Sequence, residues 1–109
     1  MPDRNPYAER TDGNQQSLVR ELRSCGVRVE ILSSCGMGIP DILCLFRGLW
    51  IPIEIKSSEK EQLTPMEEEW WGRLGIPPQI AWDLESTAKY IPGLVFSSQG
   101  KIKFKRKKK

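Results

Sequence analysis

The sequence predicts an α/β domain, a mixed central sheet flanked by helices in the order helix, three strands, helix, strand, helix. Three observations carry this reading. Leu18, Val19 and Leu22 recur at helical spacing ahead of Gly26. Two apolar runs, 41–46 and 49–55, flank a short Arg47-Gly48 turn. Thr64-Pro65 with Glu67 opens a second helical stretch after a charged loop. At 109 residues the chain has room for one core and not for two.

Residues 1–11 are polar, contain Pro2 and Pro6, and read as an arm. Asp12 stands as an N-cap with Gln15 three residues on, the spacing of a capping box, and Gly26 closes the helix. In 27–33, Val27, Val29 and Ile31 alternate with Arg28, Glu30 and Leu32, which suits an edge or near-edge strand with one more solvated face. The loop Ser34-Cys35-Gly36-Met37-Gly38 delivers the chain to Ile39-Pro40-Asp41. Pro40 pushes Ile39 toward extended geometry and has no N–H for a ladder, so it belongs at a strand's beginning. Strands over 41–46 and 49–55 then form an antiparallel hairpin, in which Pro52 is expected to force a bulge or face an open edge.

In the second helix Thr64 is the cap, Pro65 takes the first position and Glu67 completes the box. Met66, Trp70 and Leu74 share one face, and Trp70 is expected in the core. Trp71 should face elsewhere and, if exposed, serve a dimer interface or stack on nucleic acid. Gly75-Ile76-Pro77-Pro78 ends the helix, 79–82 makes a short fourth strand and 84–91 a short helix. Residues 94–96 and 102–104 are expected to pair as a terminal hairpin. The resulting division is an arm over 1–11, a domain over 12–96, and a terminal strand with a basic tail over 97–109.

The chain has no histidine, which removes imidazole as ligand, base or pH switch and excludes Ser/His and Cys/His triads. Hydrolytic chemistry must then run on carboxylates, lysine and water activated by a metal. Cys25, Cys35 and Cys44 lack metal-site spacing and read as reduced, mostly core thiols. No apolar run approaches the roughly 18 residues of a membrane span, nor does the N-terminus carry a signal-peptide core, so a cytoplasmic protein without membrane contact is expected. Net charge is +3, but seven of the 17 basic residues lie in 101–109, leaving ten against 14 acidic ones before it. Lys101, Lys103, Lys105 and Arg106 in that tail are candidates for holding phosphate backbone, or simply for solubility.

The chemistry centres on Pro40-Asp41 and Glu54-Ile55-Lys56. Glu54 and Lys56, two residues apart in an apolar strand, must leave on the same face. Charges so placed are costly unless compensated, and a divalent cation held by Asp41 and Glu54, with Lys56 beside it, is the compensation that fits. The backbone carbonyl of Ile55 is a natural further ligand. Mg²⁺ or Mn²⁺ held this way suits phosphodiester hydrolysis, with Lys56 orienting water or stabilising developing charge. The plain structural alternative makes Glu54 and Lys56 neighbours on a solvated strand face, with Asp41 ending a turn.

Taken in order, Arg10-Thr11-Asp12-Gly13-Asn14-Gln15, Gly36-Met37-Gly38-Ile39-Pro40-Asp41, Arg47-Gly48, Glu54-Ile55-Lys56, Leu63-Thr64-Pro65 and Trp82-Asp83-Leu84-Glu85 resemble the VRR-NUC family. The likeness runs over residues 10–91 and is to the compact stand-alone phage and bacterial members, within the PD-(D/E)xK superfamily. The resemblance implies the PD-(D/E)xK core, αβββαβ in order, and a Mg²⁺- or Mn²⁺-dependent endonuclease acting as a homodimer. Its DNA substrate would be branched, such as a Holliday junction, in a bacterial or phage-infected host cell. Asp41, Glu54 and Lys56 occupy catalytic positions in this likeness, and Gly36 and Gly38 the loop near the scissile phosphate.

Two positions depart from the family's pattern. Gln15 stands where the first helix presents a glutamate, and Glu67 where the second presents a glutamine after Leu-Thr-Pro. Gln15, as natural variation or as a substitution, offers a carbonyl oxygen but no negative charge, so a second cation would bind less well. A branched-DNA-binding module with weak or lost cleavage is therefore the alternative reading. Glu67 reads equally as the N3 residue of the Thr64 capping box.

Overall fold

Helix α1 spans Gly13–Ser24 in the computed structural model, which describes residues 13–96. Leu18, Val19 and Leu22 form its buried face, none more than 3% exposed. The expected cap Asp12, the arm, the basic tail and the 102–104 half of the terminal hairpin lie outside the described residues. Leu94, Val95 and Phe96 adopt no strand, and Leu94 and Phe96 instead pack on the core.

Four strands follow the expected order, β1 (Arg28–Ile31), β2 (Ile42–Phe46), β3 (Leu49–Ile55) and β4 (Ile80–Ala81), with α2 (Pro65–Leu74) before β4 and α3 (Leu84–Ala88) after it. They lie side by side as β1-β2-β3-β4, so β1 is the edge strand that its alternation anticipates. The first two pairings are antiparallel and β3–β4 is parallel, giving a mixed sheet. Arg47 and Gly48, at φ 52° and 82°, make a two-residue hairpin turn whose twist matches the strands it joins.

Pro52 causes no bulge. The β2–β3 register runs unbroken from Phe46↔Leu49 to Ile42↔Ile53, with Pro52 opposite Leu43. Glu54 and Lys56 send their N–H groups to the Gln79 and Ala81 carbonyls, so alternation turns the Pro52 nitrogen to that same side, at a level the two-residue β4 does not reach. The missing N–H therefore faces an open edge, and the Pro52 carbonyl accepts from Gln79 Nε2 at 2.9 Å.

Alternation divides the sheet into two unlike faces. Val29, Ile42, Cys44, Ile51, Ile53 and Ile55 join Leu18 and Leu22 of α1 and Leu84 of α3 in one apolar cluster. Each fully buried side chain there contributes about 1.5–3 kcal/mol. The opposite face carries Asp41, Leu43, Leu45, Trp50, Pro52 and Glu54. Of the cysteines, Cys44 is core, Cys25 is half-buried and Cys35 is exposed in the loop before Pro40, so the core expectation holds fully for Cys44 alone. Among the described residues no helix is long and apolar enough to cross a membrane.

Helix α2 is rotated relative to expectation. Trp71 is 1% exposed, whereas Met66 and Leu74 are 51% and 47% exposed and Trp70 is half-buried. Met66 and Trp70 instead border a shallow groove of about 250 Å³ with Met37 and Ile39. The cause is Glu67: it shares a face with Trp71, four residues on, and is drawn inward by a lysine described below.

Gly38 lets α2 start where it does. A Cβ there would overlap the Met66 carbonyl and crowd the Glu67 amide, whereas one on Gly36 meets nothing within 4 Å. Both glycines have positive φ, so Gly36→Ala should cost only the left-handed penalty of about 1–2 kcal/mol. Gly38→Ala should cost a further ~1–3 kcal/mol from the clash. Denaturant unfolding of the two variants checks this, and equal losses would contradict the close approach.

Candidate active site

One step beyond Ile42↔Ile53, the β2–β3 register sets Asp41 opposite Glu54, both on the face away from the apolar cluster. The following step would pair Pro40 with Ile55. Pro40 has no N–H to offer, so it leaves the Ile55 carbonyl without a ladder donor from that side. The Ile55 N–H donates instead to Asp41 Oδ2 at 2.8 Å. Pro-Asp thus ends the ladder and turns a carboxylate across the opening, beside a main-chain oxygen.

Glu54 is only 2% exposed, and its Oε1 is closed off with no hydrogen-bond partner. Its carboxyl lies within hydrogen-bonding range of Asp41. Burial, then the charges of Asp41 and Glu67, push the Glu54 carboxyl up to about 9. Burial raises Asp41 as well, although the Ile55 N–H works in the other direction. Without a cation, the pair is therefore set to keep a proton.

Lys56 lies beside the pair, its Nζ 3.7 Å from Glu54 Oε2 and 2.9 Å from Glu67 Oε1. Burial works against its charge, but the hydrogen bond and charge of Glu67, with Glu54 and Glu61, outweigh it and raise its pKa. Glu67 is itself pinned: its Oε1 accepts the Thr64 N–H at 2.9 Å while its own N–H donates to Thr64 Oγ1 at 3.2 Å. Burial opposes the Glu67 charge too, but Lys56 and the Thr64 N–H prevail and lower its pKa. The capping box that starts α2 also fixes the lysine.

The first turn of α1 closes the far side. Asn14 Nδ2 donates to the Lys56 carbonyl at 2.9 Å, and buried Gln15 donates through Nε2 to Ser33 Oγ at 3.2 Å. Asp41, Glu54, Ile55, Lys56 and Glu67 are thus gathered in one place. Gly38 packs against the α2 backbone, and Gly36 lies in the loop before it. Lys101, Lys103, Lys105 and Arg106 lie outside the described residues. Asn14, Ser33 and the Glu67–Lys56 pairing were not read from the sequence. A signal for the last existed, since the cap rules already orient Glu67 back toward Thr64.

A divalent cation fits what is present. The orphaned Glu54 Oε1, the adjacent Asp41 carboxylate and the Ile55 carbonyl are hard oxygen donors of the kind Mg²⁺ and Mn²⁺ take. Among the described residues no group of three or more histidine, cysteine or acidic side chains is set to hold a metal, so the donor set rests on two carboxylates and the main chain.

No family model and no curated protein matches the chain. A solved structure described as "VRR_NUC domain" is similar to it, at 25% identity and a TM-score of 0.54, over 72% of this chain and 90% of that one. The likeness supports a VRR_NUC-like domain, consistent with the mixed four-stranded sheet and its helices.

The proton on the pair ties stability to pH. The folded state keeps it to about pH 9, whereas an unfolded Glu54 releases it near its ordinary 4.5. The stabilisation is therefore full below about 4.5 and is lost as pH rises toward 9. In chelator, Tm should fall across this window, by about 4–8 °C per kcal/mol lost, and Glu54→Gln should flatten the slope. A thermal melt series that rises with pH, or a variant with an unchanged slope, would contradict the shared proton.

Proposed function

We propose that the chain is a metal-dependent endodeoxyribonuclease of the PD-(D/E)xK type, selective for branched DNA such as four-way junctions. The observation that carries the reading is the buried Asp41–Glu54 pair with its orphaned Oε1, on a domain similar to a VRR_NUC structure. Asp41, Glu54 and the Ile55 carbonyl would hold Mg²⁺ or Mn²⁺. Bound there, the cation supplies positive charge to the phosphoryl oxygens and lowers the pKa of the attacking water.

The chain's own groups do the rest. The Ile55 N–H holds the Asp41 carboxylate in place, and Glu54 and Asp41 would have to give up their proton to hold a cation. Lys56, kept protonated by Glu67 and Glu54, acts as a cationic donor that orients the water or a phosphoryl oxygen rather than as a base. Gly36 leaves room for the backbone of the substrate, whereas the space at Gly38 is taken by the α2 backbone, and Lys101, Lys103, Lys105 and Arg106 would add phosphate contacts. A homodimer would present two such sites to one junction. The setting proposed for it is the cytoplasm of a bacterial or phage-infected cell.

Gln15 favours a second reading. A neutral, buried amide donating to Ser33 stands where the resemblance puts a glutamate, and it gives the site one negative charge fewer. A branched-DNA-binding module with weak cleavage would result.

Labelled four-way junction, linear duplex and single strand, each with Mg²⁺, Mn²⁺ or chelator, test both readings. The junction should be cut only with metal, and Glu54→Ala or Asp41→Ala should lose more than about 100-fold, the loss that even an outer partner's removal can reach. Gln15→Glu should raise the rate. Junction binding without product from either the parent or Gln15→Glu would favour the binding module. Because the cation must displace the shared proton, Mg²⁺ should raise Tm more at pH 8 than at pH 6, and an equal or reversed effect would remove Glu54 from the ligand set.

A further inference from the structure

We infer that Trp50 is a stacking platform for an unpaired base of the DNA substrate, and so a determinant of selectivity for branched over continuous duplex. This assignment deepens the nuclease reading above and rests on it. Trp50 is 69% exposed, while Trp71 is buried and Trp70 and Trp82 are half-buried. Its side chain leaves β3 on the same face as Glu54, four residues along the same strand. At about 3.3 Å per residue the two are about 13 Å apart, a span of a few nucleotides.

The register supplies the surroundings. Arg28, Leu45 and Trp50 form one cross-strand row, Glu30, Leu43 and Pro52 the next, and Asp41 and Glu54 end the third. A strand whose phosphate lies at the carboxylates and which runs along β3 therefore crosses half-buried Leu43, Leu45 and Pro52 and arrives at an indole with a guanidinium two strands away in the same row. Arg28 Nε is held by Glu30 at 2.9 Å, yet 76% of the Arg28 side chain is exposed and presents the rest of its fork for a phosphate.

The strand that carries Trp50 starts at a tight turn: Leu49 alone separates Trp50 from the Arg47-Gly48 hairpin, and Arg47 is seated over the Phe46 ring and against Gly93. An open indole face can accept a base only when that base is out of the helical stack, and junctions, flaps and single strands offer such a base where continuous duplex does not.

Binding is measured by anisotropy in Ca²⁺ with a labelled four-way junction, a blunt duplex and a single strand, for the parent chain, Trp50→Ala and Trp50→Phe. Trp50→Ala should weaken junction and single-strand binding by about 5- to 150-fold, leave duplex binding and Tm unchanged, and be largely rescued by Trp50→Phe. In the parent chain, 2-aminopurine placed within a few nucleotides of the cut should be quenched, and Trp50→Ala should remove the quenching. Equal junction binding by parent and Trp50→Ala overturns the assignment, as does a uniform loss on all three DNAs. A drop in light-scattering mass for Trp50→Ala would make Trp50 a self-association residue and also overturn it. A parent chain that binds no DNA removes the nuclease reading and this one together; a parent that cuts junctions while Trp50→Ala cuts and binds them equally well removes this one alone.

Discussion

Asp41 and Glu54 face each other one step beyond the last rung of the β2–β3 ladder, where one buried Glu54 oxygen has no hydrogen-bond partner among the described residues. Two like charges at about 4 Å repel by about 4 kcal/mol at the effective dielectric of a protein surface, before any cost of burial. The pair must therefore share a proton or hold a cation, and every neighbouring group bears on that choice. Pro40 withholds the donor that would tie up the Ile55 carbonyl, the Ile55 N–H turns Asp41 inward, and Lys56 adds one positive charge against three carboxylates. A buried ion pair of this kind adds little to stability by itself, because desolvation offsets its attraction. Its consequence is positional.

That demand on position propagates into α2. Glu67 reaches Lys56 only if the helix presents its 67/71 face to the sheet, which carries Trp71 inward and leaves Met66, Trp70 and Leu74 toward solvent. The indole Nε1 of Trp71 is buried without a hydrogen-bond partner, and its ring meets Trp70 edge to face at 5.1 Å. A helix oriented by hydrophobic burial alone would bury the longer apolar stripe and leave no indole donor unsatisfied. The Glu67–Lys56 pair goes together with burial of Trp71 rather than of the Met66, Trp70 and Leu74 stripe, and Gly38 makes the orientation sterically possible.

This explains what was legible in the sequence. Strand order, the Arg47-Gly48 turn, both ends of β3 and the Thr64 cap follow from local rules, because a period of two, a two-residue turn and a capping box are each settled by residues within a few positions. Asp41, Glu54 and Lys56 were legible for the same reason, since charges on an apolar strand are anomalous locally. The rotation of α2 was not, because helical spacing cannot tell Trp70 from Trp71 until Lys56 comes across from another strand. Pro52 was read as a bulge or an open edge, and only the two-residue length of β4 decides for the edge. Asn14 and Ser33 bear on the site through contacts spanning 42 and 18 residues, which no local pattern reports.

The placement of the carboxylates also bears on what kind of substrate suits them. Small molecules are held in concave sites that enclose most of their surface, whereas buried Glu54 and half-buried Asp41 stand at one end of a sheet face that runs out through half-buried Leu43, Leu45 and Pro52 to exposed Trp50. A groove of about 490 Å³ lies elsewhere, between Arg20 and Arg23 of α1 and Ile31 of the edge strand, and none of these carboxylates lines it. The rest of that face cannot exclude water by itself, since Trp50 at its far end is 69% exposed. A polymer laid across the face can, because the flanking nucleotides cover the sheet while one phosphate meets the carboxylates. On the nuclease reading proposed above, such a face suits an extended nucleic-acid backbone better than a free phosphoester. The same reading makes the residues along that face, rather than a pocket, the determinants of which DNA is taken.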